Sequence, residues 1–96
     1  MITLHIEHPI RDFDTWKAAF DRDPAGRKRS GVRRYRVLRP IDDLNYVIIG
    51  LDFDNASNAE TFLATMREIW RSAAAAPALA GSPQTRIVEV VESKEY

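Results

Sequence analysis

His5 and Glu7 lie two residues apart in the segment Ile2-Thr3-Leu4-His5-Ile6-Glu7-His8. In an extended chain such residues project from the same face. The carboxylate can then orient an imidazole that titrates near neutrality, and a pair of this kind can move a proton. The same two residues also suit a plain hydrogen-bonded pair at a subunit interface. His8 belongs to the opposite face of the strand, so His5, Glu7 and His8 are not a compact coordinating set and no metal is expected. The absence of cysteine removes thiolate zinc sites, cysteine nucleophiles and disulfides together.

A second group with chemical potential is the basic segment 27–39, which carries Arg27, Lys28, Arg29, Arg33, Arg34, Arg36 and Arg39 without an acid, in a chain whose formal net charge is zero. Arginines in this setting can hold a carboxylate or enolate through charge-assisted hydrogen bonds, and Arg34 and Arg36 are the candidates for a small anionic ligand. Arg27, Lys28 and Arg29 read as a solvated loop, and strand arginines also serve to pair with acids or to protect a sheet edge. Nucleic acid is not expected as a partner, because no aromatic platform or reading helix accompanies the charge.

These residues need a scaffold, and the patterning supplies one. Residues 2–8 alternate as a strand, with Ile2, Leu4 and Ile6 on one face and Thr3, His5 and Glu7 on the other. Pro9 ends that ladder. Asp12 is placed to cap a helix with apolar positions Phe13, Trp16, Ala19 and Phe20, closing near Asp23-Pro24. Residues 32–39 and 46–53 read as a hairpin around the turn-forming run Pro40 to Asn45. If Val37 pairs near Val47, then Tyr35, Val37, Val47, Ile49, Leu51 and Phe53 form the apolar face. Arg34, Arg36, Tyr46, Ile48 and Gly50 take the other.

Ser57-Asn58-Ala59-Glu60 has the form of a capping box. The stripe Ala59, Phe62, Leu63, Met66, Ile69, Trp70 and Ala73 behind it predicts an amphipathic helix, which the alanine run 73–76 would prolong to Pro77. A last strand is expected over 86–92. Trp16 and Trp70 fall on buried stripes, where core packing is the ordinary role of an aromatic. Trp70 has a second reading as a ligand wall, because it adjoins the alanine and proline segment.

The order strand, helix, strand, strand, helix, strand describes a single α+β domain over 1–96, ferredoxin-like, with a four-stranded antiparallel sheet and both helices on one face. The other face would carry Thr3, His5, Glu7, Arg34, Arg36, Leu38, Tyr46 and Ile48, too apolar for open solvent and too polar for a dry core. A domain of this size leaves much surface unburied, and a second copy presenting the same patch would close the sheet into a barrel. A homodimer is therefore expected, with a shared cavity as the site. At 45% hydrophobic and 29% charged the chain has a globular composition. It has no run near the roughly 20 apolar residues of a membrane span, and its N-terminus lacks a basic segment followed by an apolar one. A cytoplasmic protein is expected.

The segments Asp12-Phe13-Asp14-Thr15-Trp16-Lys17-Ala18-Ala19-Phe20-Asp21, Gly31-Val32-Arg33-Arg34-Tyr35-Arg36-Val37 and Asp42-Asp43-Leu44-Asn45-Tyr46-Val47 resemble small proteins of the dimeric α/β-barrel superfamily. That group includes antibiotic-biosynthesis monooxygenases, polyketide-cyclase-like proteins and haem-degrading monooxygenases. The resemblance spans nearly the whole chain. Haem-degrading members use an asparagine on the first strand, a tryptophan on the second helix and a later histidine; Trp70 matches the second, but strand one has no asparagine and no histidine follows His8. The resemblance instead implies a cofactor-independent monooxygenase or cyclase-like enzyme acting on a planar hydrophobic ligand held inside the barrel. Trp70, Tyr46 and Arg36 have the residue types for that task, with Arg34 and Ile48 beside them and His5 and Glu7 as the catalytic pair. The alternative is a non-catalytic ligand-binding or interaction domain of the same fold.

Overall fold

The computed structural model describes residues 1–72 and 79–96. Six elements follow one another: β1 (Ile2–Pro9), α1 (Phe13–Asp21), β2 (Arg34–Leu38), β3 (Tyr46–Phe53), α2 (Ala56–Arg71) and β4 (Gln84–Glu89). The strands form one antiparallel sheet in the order β2-β3-β1-β4, which places β1 and β3 in the centre as the two crossovers require.

The core lies on one side of this sheet. Leu4 and Ile6 from β1 and Val47, Ile49, Leu51 and Phe53 from β3 pack against Trp16 of α1 and Ala59, Phe62 and Leu63 of α2. Both helices therefore cover the same face, and the alternation of β1 emerges as alternating buried and half-buried residues. Leu4, Val47 and Phe53 are completely buried. Phe53 meets Phe62 at a centroid distance of 5.6 Å, which ties the end of β3 to α2.

Local details differ from the sequence reading in four places. Val37 opposes Ile49, not Val47, and Tyr35 opposes Leu51. The offset is two residues, so the period of the strand leaves every side chain on its expected face. β2 is shorter than 32–39 because the backbone amide of Val32 is held by the Arg27 carbonyl in the preceding turn, at Gly31 with φ +97°. At its other end Pro40 lacks the amide needed to continue a ladder.

The cap of α2 is Asn55, whose side chain accepts from the Asn58 amide at 2.8 Å, so Ser57 lies inside the first turn and Ser57-Asn58-Ala59-Glu60 is not a capping box. An Asx side chain two residues earlier reaches the same class of free amide and starts the helix sooner. At its C-terminus α2 stops at Arg71. Ser72 is extended, and both its amide and its hydroxyl donate to the Ile69 carbonyl. The expected prolongation through Ala73 and the alanine run to Pro77 falls outside the described residues. Finally, β4 spans Gln84–Glu89 instead of 86–92. It begins directly after Pro83, and its ladder ends with the Ile2–Glu89 pair. α1 follows expectation: the Asp12 carboxylate accepts from both the amide and the hydroxyl of Thr15, at 2.9 and 2.7 Å.

Candidate functional site

Across the face of the sheet that the helices leave open, hydrogen bonds join side chains from three strands. The His5 Nε2 lies 2.6 Å from Glu7 Oε2, and the Tyr46 hydroxyl donates to Glu7 Oε1 at 2.8 Å. Both carboxylate oxygens are thus engaged. These bonds, from His5 first and Tyr46 second, hold the Glu7 carboxyl below the usual glutamate range, and the same bond raises the Tyr46 hydroxyl.

Beside this group the Thr3 hydroxyl donates to Asp52 Oδ1 at 2.7 Å and Arg34 Nε to Asp52 Oδ2 at 2.5 Å. Burial pushes the Asp52 carboxyl up, but the bonds from Arg34 and Thr3 outweigh it and leave a net lowering, to which the charge of Arg36 adds. Arg36 opposes Gly50, which in turn opposes His5, so a residue without a side chain separates the two. Ile48 of β3 stands directly opposite Glu7 of β1, half-buried. The structure thus brings His5, Glu7, Arg34, Arg36, Tyr46 and Ile48 onto one face.

Trp70 is on the other side of the sheet. It projects from α2 into a cavity of about 330 Å³ between the helices and the sheet. Trp16, Ala19 and Phe20 of α1, Phe62, Met66, Ile69 and Trp70 of α2, and Ile6, His8, Ile49 and Leu51 of the sheet line it; among the described residues Ser72, Leu79 and the segment Arg22 to Ala25 with Arg27 join them. The lining is mostly apolar, and two indoles and two phenyl rings are part of it. Trp16 and Phe20 stack at 5.0 Å with an interplanar angle of 27°. A volume of this order holds a small planar organic molecule.

Arg27 corrects the expectation of a solvated basic loop. Its side chain is only 16% exposed; the guanidinium lies 3.9 Å from the Phe20 ring centroid and 4.9 Å from that of Tyr35, and Nη1 donates to the Phe20 carbonyl at 2.8 Å. Lys28 and Arg29 are exposed as expected. Arg33 pairs with Asp54 and Arg34 with Asp52 along the edge strand β2.

A histidine also lines the cavity: His8, 2% exposed. Its Nδ1 lies 2.9 Å from the Pro9 carbonyl oxygen, and the ring meets Trp16 edge-on at 6.4 Å. The Pro9 carbonyl also accepts from the Ala80 amide at 3.3 Å. Burial lowers the His8 pKa, an effect the bond to Pro9 opposes in part. The sequence assigned His8 only to the face opposite His5. The signal that would have singled it out is its phase: it continues the alternation of Ile2, Leu4 and Ile6, and so is a polar side chain aimed at the core. Among the described residues no group of three or more His, Cys, Asp or Glu could hold a metal ion, and no helix is long and apolar enough to cross a membrane.

A four-stranded antiparallel sheet with two helices on one face, in the order strand, helix, strand, strand, helix, strand, gives this chain a ferredoxin-like fold. No protein-family model and no curated protein matches the sequence. Among solved structures the chain is similar to SnoaB, a cofactor-independent oxygenase from Streptomyces nogalater, with a TM-score of 0.75 at 15% identity over 96% of this chain and 94% of that one. It is also similar to an antibiotic biosynthesis monooxygenase (TM-score 0.69, 8% identity, 96% and 100% covered). A dimeric ferredoxin-like protein from an uncultured marine organism aligns with a TM-score of 0.66 at 10% identity, over 97% of each chain. At these identities the likeness is one of fold.

Proposed function

We propose that this protein is a small-molecule enzyme of the cofactor-independent oxygenase type, acting on a planar hydrophobic substrate held between the helices and the sheet. The observation that carries the reading is the cavity itself, flanked by Trp16, Phe20 and Trp70. Aromatic walls on an otherwise apolar cleft bind a flat ring system by burial and stacking, and leave orientation to a few polar groups. The likeness in fold to SnoaB supports the choice of reaction class. The substrate, an electron-rich ring system, supplies the electrons that reduce dioxygen, and the protein positions it and excludes water.

The open sheet face has a different part in this proposal. His5, Glu7, Arg34, Arg36, Tyr46 and Ile48 form the surface on which a second copy docks, making a homodimer whose interior is the hydrogen-bonded group around Glu7. His5 and Glu7 are the proton-moving pair if that interior admits a ligand. A ligand-binding protein without catalysis uses the same helix-side cavity.

Oxygen uptake on addition of a fused-ring quinol, corrected for the rate without protein, tests the enzyme. Turnover should fall at least tenfold in Trp70→Ala and persist in Arg36→Ala. Quenching of tryptophan fluorescence by the quinol without oxygen uptake would leave the binding protein as the reading. Turnover lost in Arg36→Ala and His5→Ala but kept in Trp70→Ala would move the site to the open face.

A further inference from the structure

The hydrogen bond of His8 determines which of its ring nitrogens can do chemistry. A carbonyl oxygen is only an acceptor, so the bond to Pro9 requires a proton on Nδ1. In the neutral ring Nε2 is then an acceptor. Among the described residues Nε2 has no hydrogen-bond partner, while no fully buried side-chain nitrogen or oxygen lacks one. With Nδ1 held by the Pro9 carbonyl, Nε2 is the ring nitrogen that His8, as a lining residue, has left to offer the cavity. An acceptor in an apolar cleft selects for a ligand that presents a donor there, because a carbonyl or carboxylate at that point would leave two acceptors facing each other without water.

We propose that His8 Nε2 is the proton acceptor of the helix-side cavity, and that the ligand is a planar apolar compound with a weakly acidic hydroxyl, a phenol or enol, directed at it. This rests on the reading of the cavity as a site for planar ligands. In the proton transfer the ligand's O–H bond breaks with its electron pair left on oxygen, and an N–H bond forms at Nε2. The imidazolium and the oxyanion remain adjacent, which offsets the cost of a charge in a buried setting. The ordered Pro9 carbonyl steadies the imidazolium through Nδ1, as a carboxylate does in other histidine bases. The charged groups on the same cavity all come from the segment after α1: Arg22, Asp23 and Arg27. The described lining from α2 and β3 carries none, so the titration of the acceptor belongs to His8 within that set.

The probes are 1-naphthol, a weak acid that stays un-ionised in water at pH 7 and whose ionisation shifts its near-ultraviolet absorption, and its methyl ether, which has the same rings but no donor. Titration calorimetry at pH 7 should find the naphthol bound about tenfold more tightly than the ether, the worth of one buried hydrogen bond. His8→Phe should remove that preference while ether affinity stays within about threefold. His8→Gln, which keeps an acceptor but no base, should keep part of the preference and lose the ionised band of the bound naphthol. If the preference survives in His8→Phe, or the wild type shows none, the role of His8 is overturned while the cavity reading stands. If neither compound binds the wild type, both are overturned.

Discussion

His5 and His8 stand three residues apart on β1 and on opposite faces of the sheet, each with one ring nitrogen fixed: His5 Nε2 is 2.6 Å from Glu7 Oε2, and His8 Nδ1 is 2.9 Å from the Pro9 carbonyl. One strand thus serves two different environments. His5 is 40% exposed at its side chain and paired with an acid, whereas His8 is closed into an apolar cavity and bonded to backbone. The pairing makes the open face sensitive to acid, while burial keeps the cavity histidine neutral.

The acid sensitivity can be measured on Glu7. Its pKa is lowered in the folded protein by the bonds from His5 and Tyr46. The stability it contributes is therefore full above the ordinary glutamate range and is lost as pH falls through the lower folded value. The pair is about one-third exposed, and solvent screening limits its worth to about 0.5–1 kcal/mol. Urea denaturation should show Glu7→Gln less stable than wild type by that amount at pH 7, with the gap closing towards pH 3. A gap that does not change with pH would mean that Glu7 is held by nothing specific.

The start of α2 supplies a test of a different kind. Asn55→Ala should lower stability by about 1 kcal/mol, the usual cost of losing an N-cap side chain. Ser57→Ala, inside the first turn and exposed, should change it by less than about 0.5 kcal/mol. The two variants compared by urea midpoint decide between the cap seen at Asn55 and a capping box beginning at Ser57. Equal losses would contradict the structure.

That comparison also indicates what can be read from a sequence of this kind. Periodicity located β1, β3 and the face of each strand, because one buried side enforces the alternation of Leu4, Ile6, Val47, Ile49 and Leu51 whatever the exact pairing. The offset of Val37 by two residues cost nothing in face, but it was not visible because the long Pro40 to Asn45 connection does not fix a register as a two-residue turn does. The cap was misplaced because Asn55 and Ser57 both satisfy the same local chemistry, and only the path of the chain leaving Phe53 chooses between them. The side of the sheet that holds Trp70 followed from its stripe. The cavity did not, since it arises where Trp16, Phe20, Met66 and Trp70 fail to fill the gap between two layers, a property of packing and not of pattern.

The open face leads to the last test. Leu38 and Val88 are 42% and 39% exposed there, with Ile48 and Tyr46 between them half-buried, and the polar side chains around them are already bonded to one another. A face of this composition gains by meeting its own copy: the apolar residues lose water contact while Glu7 and Asp52 keep their partners. Sedimentation equilibrium should give twice the 11.0 kDa chain mass. Ile48→Lys, which puts a charge on the two-fold patch of both copies, should shift the protein to the single-chain mass or weaken association at least a hundredfold. Because Ile48 and the Trp70 cavity are on opposite sides of the sheet, fused-ring binding should be unchanged in the same variant. A wild type that sediments as single chains at every concentration would refute self-association through this face, and a dimer undisturbed by Ile48→Lys would place the contact elsewhere on the molecule.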